Sequence, residues 1–371
     1  LLPRLQPRRF YDLVIEIALI RPGPIQGGAV HPYVRRKLGQ ERITYPHDLL
    51  KPVLERTLGI PVFQEQLMQM GMAIGGLSGA DADLLRRAMG SKRGVERIES
   101  LREKLYAGMA ANGLTGEAAD DIYVKIQAFA NFGFAESHSL SFGLLVYASS
   151  WLKLHYPGAF LAGLLRAQPM GFYSPATLVA DARRHGVEVR APDLHASGVE
   201  AVLEPLAVPE PAEGPPSPRH TGLDACTHRI QPPIPPFDRH APDEYEAHRR
   251  DGRFAVRLGL AAVKGIGQAI ATRIVLERTA EGPFADLRDL VRRTDLTTAQ
   301  VEALATAGAF ECLGLTRREA IWLAGSAAQD RAEYLPDSLV SVQPPLFTDP
   351  SSYEVLAADL WATGVSTTDQ I

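Results

Sequence analysis

Basic side chains cluster at one place in the first half of the sequence. Arg86 and Arg87 end a predicted helix over 81–89, and three more basic residues follow soon after them: Lys92, Arg93 and Arg97. Because a guanidinium group can donate two parallel hydrogen bonds to phosphate oxygens, this edge, together with Arg21, could clamp a triphosphate. A solvated basic helix face is the alternative, and charge composition alone favours it.

A serine and a histidine stand at the start of another predicted helix. Ser137 and His138 precede an apolar stretch over 140–156, which predicts a long buried helix that ends before a proline. The first turn of a helix exposes backbone N–H groups that can bind an anion, so this position is a second candidate phosphate site. Alternatively, Ser137 or Ser139 only caps the helix, and the two roles are compatible.

The acidic residues suggest no metal site. Nucleotidyl transfer with paired metal ions needs two or three carboxylates held close together. The Asp-x-Asp pair Asp81 and Asp83 follows Ser78 with the spacing of a helix capping box, and we expect Asp83 in the first helical turn. The two cysteines, Cys226 and Cys312, are far apart and lack metal-ligand spacing. We therefore predict neither catalytic carboxylates nor a bound metal in this chain.

The strongest local pattern lies in the second half of the sequence. Lys264-Gly-Ile-Gly267 is followed by apolar residues at helical spacing, and a second helix pair is predicted over 287–304, with Thr297 and Gln300 in a capping box. This pattern is typical of a tandem helix–hairpin–helix. Gly265 and Gly267 would let backbone N–H groups approach a DNA phosphate, and Lys264 would add positive charge, so DNA would be positioned without its sequence being read.

The elements that position these residues are predicted to be mainly α-helical, with little β structure. Helices are expected over 11–20, 64–75, 81–89 and 140–156, and a compact helical module over 253–325. Between them, residues 199–243 are rich in proline and favour a linker or exposed insertion. Residues 1–175 carry 20 Lys and Arg against 15 Asp and Glu, although the whole chain has a net charge of -4. A basic first half suits an anionic partner.

The apolar segments predict a protein without a membrane anchor. The 46% hydrophobic and 22% charged composition is that of an ordinary globular protein. The longest apolar stretch is interrupted by Lys153, His155 and Pro157, whereas a membrane span needs about 20 mostly apolar residues. The first residues also lack the pattern of a secretory signal, so we expect a cytoplasmic protein that does not bind membranes.

Four motifs together resemble the fingers domain of the bacterial C-family DNA polymerases, the DNA polymerase III alpha subunit family. They occur in the order and approximate spacing of that family, and the resemblance covers nearly the whole chain. The motifs are Ala18-Leu-Ile-Arg-Pro-Gly-Pro24, Val62-Phe-Gln-Glu-Gln-Leu-Met68, Leu84-Leu-Arg-Arg-Ala-Met-Gly90 and Asn131-Phe-Gly-Phe-Ala-Glu-Ser-His-Ser139.

The resemblance implies a division of labour along the chain. The fingers would bind incoming deoxynucleoside triphosphate and template, and the implied nucleotide-binding residues are Arg21, Arg86, Arg87, Lys92, Ser137 and His138. The helix–hairpin–helix module, through Lys264, Gly265 and Gly267, would hold the primer–template duplex. In the family the catalytic aspartates lie in a palm upstream of the fingers. We therefore expect a fragment that is inactive alone, whereas the complete enzyme would use Mg²⁺.

Two features indicate the error-prone, translesion branch of the family. Glu136 stands before the Ser-His pair, where replicative members usually have Lys or Arg, and residues 167–175 look like the translesion branch. A negative charge there should weaken the electrostatic hold on a nucleotide. In the other direction, Gln343, Leu346 and Phe347 resemble the Q-x-x-L-F peptide by which replicative members bind the sliding clamp. The error-prone branch relies on an accessory factor instead.

The predicted organisation therefore has four parts. Fingers occupy 1–175, the end of the fingers and a linker 176–252, the tandem helix–hairpin–helix 253–325, and an acidic linker toward a further domain 326–371. The predicted function is a part of an error-prone DNA-directed DNA polymerase in damage-induced mutagenesis and translesion synthesis. The alternatives are a catalytically inactive, truncated DNA-binding remnant and a fragment of a replicative polymerase III alpha subunit.

Overall fold

The computed structural model describes residues 1–21, 30–89, 94–128, 134–206, 248–329, 348 and 350–367. These residues form helices and one small three-stranded sheet, which confirms the predicted mainly α fold with little β structure. The chain divides into two units, Leu1–Ser150 and Trp151–Ile371. Lys92, the prospective clamp peptide around Gln343, Leu346 and Phe347, and most of the proline-rich stretch lie outside the described residues.

The first unit is helical throughout its described part. Two short 3-10 helices, Asp48–Leu50 and Glu55–Thr57, flank the fourth α-helix. Helices α1 to α10 are Leu2–Leu5, Phe10–Leu19, Val30–Lys37, Lys51–Leu54, Gln64–Ala73, Gly79–Ala88, Gly94–Glu99, Arg102–Ala111, Glu117–Ala128 and Glu136–His155, the last of which continues past Ser150.

Two apolar clusters hold the helices of this unit together. One contains Leu67 of α5, Leu85 of α6 and Leu105 of α8, all of which are buried. Helix α8 comes very close to the turn after α5, since a Cβ atom on Gly108 would lie 2.1 Å from the carbonyl oxygen of Gly75. The other cluster packs buried residues of α2 against Phe63 and Phe134. The basic end of α6 and the start of α10 are thus each attached to a buried core.

Helix α10 differs from its prediction in one respect. The predicted helix is present as Glu136–His155, but the expectation that it is buried is wrong. Ser139 and Gly143 face α2, with the Ser139 hydroxyl donating a hydrogen bond to the carbonyl oxygen of Val14. The apolar side chains turned elsewhere are exposed: Leu140, Phe142, Leu144, Leu145, Val146, Tyr147, Trp151 and Leu152. Apolar composition predicted burial, but most of the apolar side chains of this helix have no covering partner among the described residues.

The second unit begins with two helices on a small sheet. Helices α11 (Pro157–Arg166) and α12 (Pro175–Arg184) precede strands β1 (Val189–Arg190), β2 (Val202–Pro205) and β3 (Phe254–Arg257). The strand order is β1-β3-β2, with β1 parallel and β2 antiparallel to β3. Glu204 of β2 forms ion pairs with Arg257 of the neighbouring strand β3 and with Arg190 of β1. The sheet thus joins three separate segments in one unit, and β2 lies within residues 199–243, so the start of the stretch predicted as a linker or exposed insertion is a strand instead.

The remaining helices form a module around a common core. The 3-10 helix Leu260–Ala262 leads into α13 (Gly267–Glu281), and α14 (Leu287–Thr294), α15 (Thr298–Thr306) and α16 (Arg317–Ala327) follow. A further helix, α17 (Ser352–Thr363), lies within the stretch predicted as an acidic linker, and its Ala362 belongs to the same buried cluster. No helix among the described residues is both long enough and apolar enough to cross a membrane.

Candidate nucleotide and DNA-binding sites

The start of α6 is fixed by a capping box, as the sequence predicted. The Ser78 hydroxyl oxygen accepts a hydrogen bond from the backbone N–H of Asp81, and the Asp81 carboxylate accepts one from the backbone N–H of Ser78. Lys104 of α8 also pairs with this carboxylate. Hydrogen bonds from Lys104 and Ser78 lower the pKa of Asp81 to about 2. Asp81 is therefore a structural residue in this helix.

Asp83 holds both arginines of the basic edge. Its carboxylate lies 2.8 Å from Nη2 of Arg86 and 2.6 Å from Nη2 of Arg87, at helical spacings of three and four residues. The two arginine side chains are 48% and 67% exposed, and the hydrogen bond from Arg86 lowers the pKa of Asp83. The sequence placed Asp83 in the first helical turn, and this is wrong. The helix begins at Gly79, so Asp83 lies one turn further along. A phosphate group would have to compete with this one carboxylate for two guanidinium groups.

Arg21 and His138 belong to one series of stacked side chains. The guanidinium carbon of Arg21 lies 3.9 Å from the ring centroid of Phe134, and the Phe134 ring meets His138 edge to face at 5.3 Å. His138 in turn meets the exposed Phe142 at 4.6 Å. Phe134 is buried and His138 is exposed, so a ring fixed in the core contacts both Arg21 and His138. The structure thus brings these two predicted residues together.

The start of α10 is already occupied by a carboxylate of the protein. The backbone N–H of Glu136 donates a hydrogen bond of 2.9 Å to Glu65 of α5. Ser137 is exposed on the first turn, whereas Ser139 is buried inside the helix and does not cap it. An anion at this helix terminus would therefore have to displace Glu65 from that N–H group.

The charge of Glu136 is compensated within the protein. Its carboxylate accepts a hydrogen bond of 2.5 Å from the Tyr11 hydroxyl and lies 3.1 Å from the guanidinium of Arg56. The guanidinium carbon of Arg56 also lies 4.3 Å from the Tyr11 ring centroid. Burial and the hydrogen bond to Glu136 both raise the pKa of Tyr11. Sequence reasoning missed Tyr11, Arg56 and Glu65, because no local pattern joins residues so far apart in the chain.

The first hairpin of the second unit has the geometry that its glycines predicted. Gly265 and Gly267 adopt positive φ angles of 88° and 64°, which favour glycine over residues with a Cβ atom. Between them Ile266 is only 3% exposed, so the core fixes the hairpin. A Cβ atom at either glycine would meet no heavy atom within 4 Å, and Lys264 is exposed beside them. The hairpin therefore offers an open, positively charged surface for a phosphate.

A second helix pair follows this hairpin, as predicted. The Asp286 carboxylate caps α14 by accepting hydrogen bonds from the backbone N–H groups of Arg288 and Asp289. Helix α15 begins at the predicted capping box, in which the Gln300 side chain accepts a hydrogen bond of 3.0 Å from the backbone N–H of Thr297. The two helix pairs share one buried core.

The described residues contain no group of three or more His, Cys, Asp or Glu side chains that could hold a metal ion.

Among the predicted site residues, Arg86 and Arg87 share one carboxylate, and Arg21 and His138 share one aromatic ring. Lys264, Gly265 and Gly267 share one hairpin. Each group is thus a local arrangement, and the second one joins residues from two separate parts of the chain.

The helical fold, the arginine-rich helix end and the glycine hairpin between helices define a protein of the helix–hairpin–helix class with candidate anion-binding surfaces. Residues 1–113 match the family model described as the bacterial DNA polymerase III alpha subunit finger domain, and residues 186–320 match the helix–hairpin–helix motif model. These matches confirm the resemblance that the motifs predicted, to the bacterial DNA polymerase III alpha subunit family.

Curated relatives identify the branch of that family. The chain is 60% identical over 99% of its length to a protein of Cutibacterium acnes named error-prone DNA polymerase. It is 51% identical over 98% of its length to a protein of the same name from Nocardia farcinica, and 50% identical to one from Mycobacterium tuberculosis. The predicted error-prone branch is thus confirmed. The chain spans 32% of the first relative's length and 29% of the other two, so it corresponds to about a third of each.

Proposed function

We propose that this chain is part of an error-prone DNA-directed DNA polymerase that acts in damage-induced mutagenesis and translesion synthesis. The observation that carries the proposal is the 60% identity over 99% of the chain to a protein named error-prone DNA polymerase. The chain would contribute nucleotide and DNA binding to template-directed nucleotidyl transfer. We place the protein in the cytoplasm, where bacterial DNA is copied.

In this proposal the first unit binds the phosphates of the incoming deoxynucleoside triphosphate. Arg86 and Arg87 are exposed at one helix end and share the Asp83 carboxylate. A triphosphate can therefore take the place of this carboxylate as the anion that binds the two guanidinium groups. Arg21 and His138, which both contact the Phe134 ring, contribute further groups, with Lys92 and Ser137 as additional proposed contacts. Because Glu65 occupies the Glu136 N–H group, His138 acts through its side chain and not through the helix terminus.

The second unit holds the primer–template duplex through the first hairpin. Gly265 and Gly267 leave the hairpin backbone open to a phosphate, and Lys264 supplies a positive charge. Phosphate contacts of this kind fix the position of a duplex without reading its sequence, which suits a polymerase. Mg²⁺ is the cofactor of the proposed complete enzyme, in which paired metal ions stabilise the attacking and leaving oxygens. A sliding clamp or a translesion accessory factor is its proposed protein partner.

A chimeric polymerase tests this proposal. The chain replaces the matching region of the Cutibacterium acnes relative, and primer extension is measured on undamaged and lesion-containing templates. The expected result is an active chimera that copies past the lesion. Within that chimera, Arg86→Ala should raise the nucleotide KM about tenfold with a smaller change in kcat, because a charge-assisted hydrogen bond to phosphate is lost.

Arg102→Ala in the same chimera is the matched control. Arg102 is an exposed arginine of α8 that pairs with Glu99 and takes no part in the proposed site, so its loss should leave the nucleotide KM unchanged. A well-folded chimera without primer extension would contradict the polymerase assignment. Equal KM values for the Arg86→Ala chimera and the unsubstituted chimera would contradict the nucleotide role of Arg86.

A further inference from the structure

An exposed tryptophan of α17 lies beside the first hairpin. The ammonium nitrogen of Lys264 is 4.9 Å from the ring centroid of Trp361, a distance at which cation and ring attract each other. The backbone N–H of Lys264 donates a hydrogen bond of 2.7 Å to the carbonyl oxygen of Ala362. Ala362 is buried in the core of the helical module, so the end of α17 is fixed to the hairpin.

We propose that Trp361 is an additional DNA-contacting residue, which positions the Lys264 ammonium and packs its indole against the deoxyribose–phosphate backbone at this hairpin. This inference rests on the proposed DNA-binding role of the first hairpin. It adds to that role a residue of α17, a helix outside the matched helix–hairpin–helix range of 186–320.

The exposure of the ring favours a contact with a ligand. Trp361 remains 53% exposed although α17 is attached to the core through its neighbour Ala362. Binding is stabilised when a partner covers a large aromatic ring, because apolar surface is removed from water. The indole N–H can also donate a hydrogen bond to a phosphate or sugar oxygen. The Lys264 ammonium beside the ring provides the charge that attracts a phosphate to this place.

The charge around the ring is also compatible with DNA. Asp359, the acidic residue preceding Trp361 in α17, is 3% exposed and lies 2.7 Å from the Arg317 guanidinium. Ser366 donates a further hydrogen bond to its carboxylate. This negative charge is therefore buried and paired, and the end of α17 presents an aromatic ring next to Lys264.

Fluorine NMR of the chain labelled with 5-fluorotryptophan tests the proposal. The chain has three tryptophans, so Trp151 and Trp322 report from other positions in the same sample, and Trp361→Phe assigns the third resonance. A duplex oligonucleotide is titrated while the anisotropy of a dye on the DNA reports binding independently. The expected result is a Trp361 resonance that shifts with the same binding curve as the anisotropy.

Affinity measurements complete the test. Trp361→Leu should weaken DNA binding about threefold, the size of an exposed cation–π contact. The matched control is Tyr353→Leu, which removes an aromatic ring that is 71% exposed two turns earlier in α17 and should leave the affinity unchanged. The outcome that overturns this inference alone has three parts. Anisotropy shows DNA binding, the Trp361 resonance does not move, and Trp361→Leu binds DNA with unchanged affinity. If the unsubstituted chain showed no DNA binding, the DNA-binding role and this inference would both be overturned.

Discussion

At the scale of single residues, the proposed nucleotide site depends on which charges are already paired within the protein. Asp83 holds Arg86 and Arg87, while Arg56 and Tyr11 hold Glu136. Because Glu136 is paired, we expect its charge to weaken the proposed nucleotide binding less than the sequence alone suggested. In the proposed site, Asp83 is the carboxylate that a phosphate would have to displace from Arg86 and Arg87.

Asp83→Asn should therefore increase the affinity of the chain for a deoxynucleoside triphosphate. Removing the negative charge releases two guanidinium groups from an exposed ion pair, and we expect Kd to fall about threefold, because exposed pairs are weak. Isothermal titration with dATP measures the change. Asp121→Asn, which removes an exposed carboxylate from α9, controls for the change in net charge. Unchanged Kd values in Asp83→Asn and Arg86→Ala together would refute the proposed site.

At the scale of elements, local sequence patterns predicted the helices well. The capping boxes at Ser78 and Thr297 place the starts of α6 and α15, because a cap depends only on residues three positions apart. The glycines at 265 and 267 likewise predicted the hairpin. Burial was harder to predict, as the exposed apolar faces of α10 show. Apolar composition reveals a tendency to be buried, but burial itself depends on which elements lie nearby.

Gly265→Ala tests the hairpin as an element. Alanine at a φ of 88° should cost about 1–2 kcal/mol of stability, and its methyl group would stand between the backbone and a phosphate. We expect at least a tenfold loss of DNA affinity, measured by anisotropy below the unfolding temperature. Gly314→Ala is the matched control, since Gly314 also has a positive φ, 72°, and open space around its Cβ position. It should lose similar stability and retain DNA binding; parallel losses of affinity in both variants would argue against a specific hairpin contact.

At the scale of the whole molecule, the order of motifs predicted the family, and the family predicted the roles of the two ends of the chain. The contacts around the proposed sites join distant residues, such as Glu65 with Glu136 and Lys264 with Trp361. No periodicity or cap links such residues, so these contacts became visible only in the fold. The helix α17 in the expected acidic linker is a second example, because its Ala362 is buried in a core formed mainly by residues 194–327.

The salt dependence of DNA binding by this chain tests the central claim most directly. Two duplexes of unrelated sequence are titrated over a range of salt concentrations, with the unsubstituted chain, Lys264→Ala and the exposed-lysine control Lys125→Ala. We predict similar affinities for both duplexes and a slope of log K against log salt that falls in magnitude by about 0.9 in Lys264→Ala alone. An affinity and slope unaffected by Lys264→Ala, or a strong preference for one duplex sequence, would contradict the account of this hairpin as a sequence-independent DNA grip.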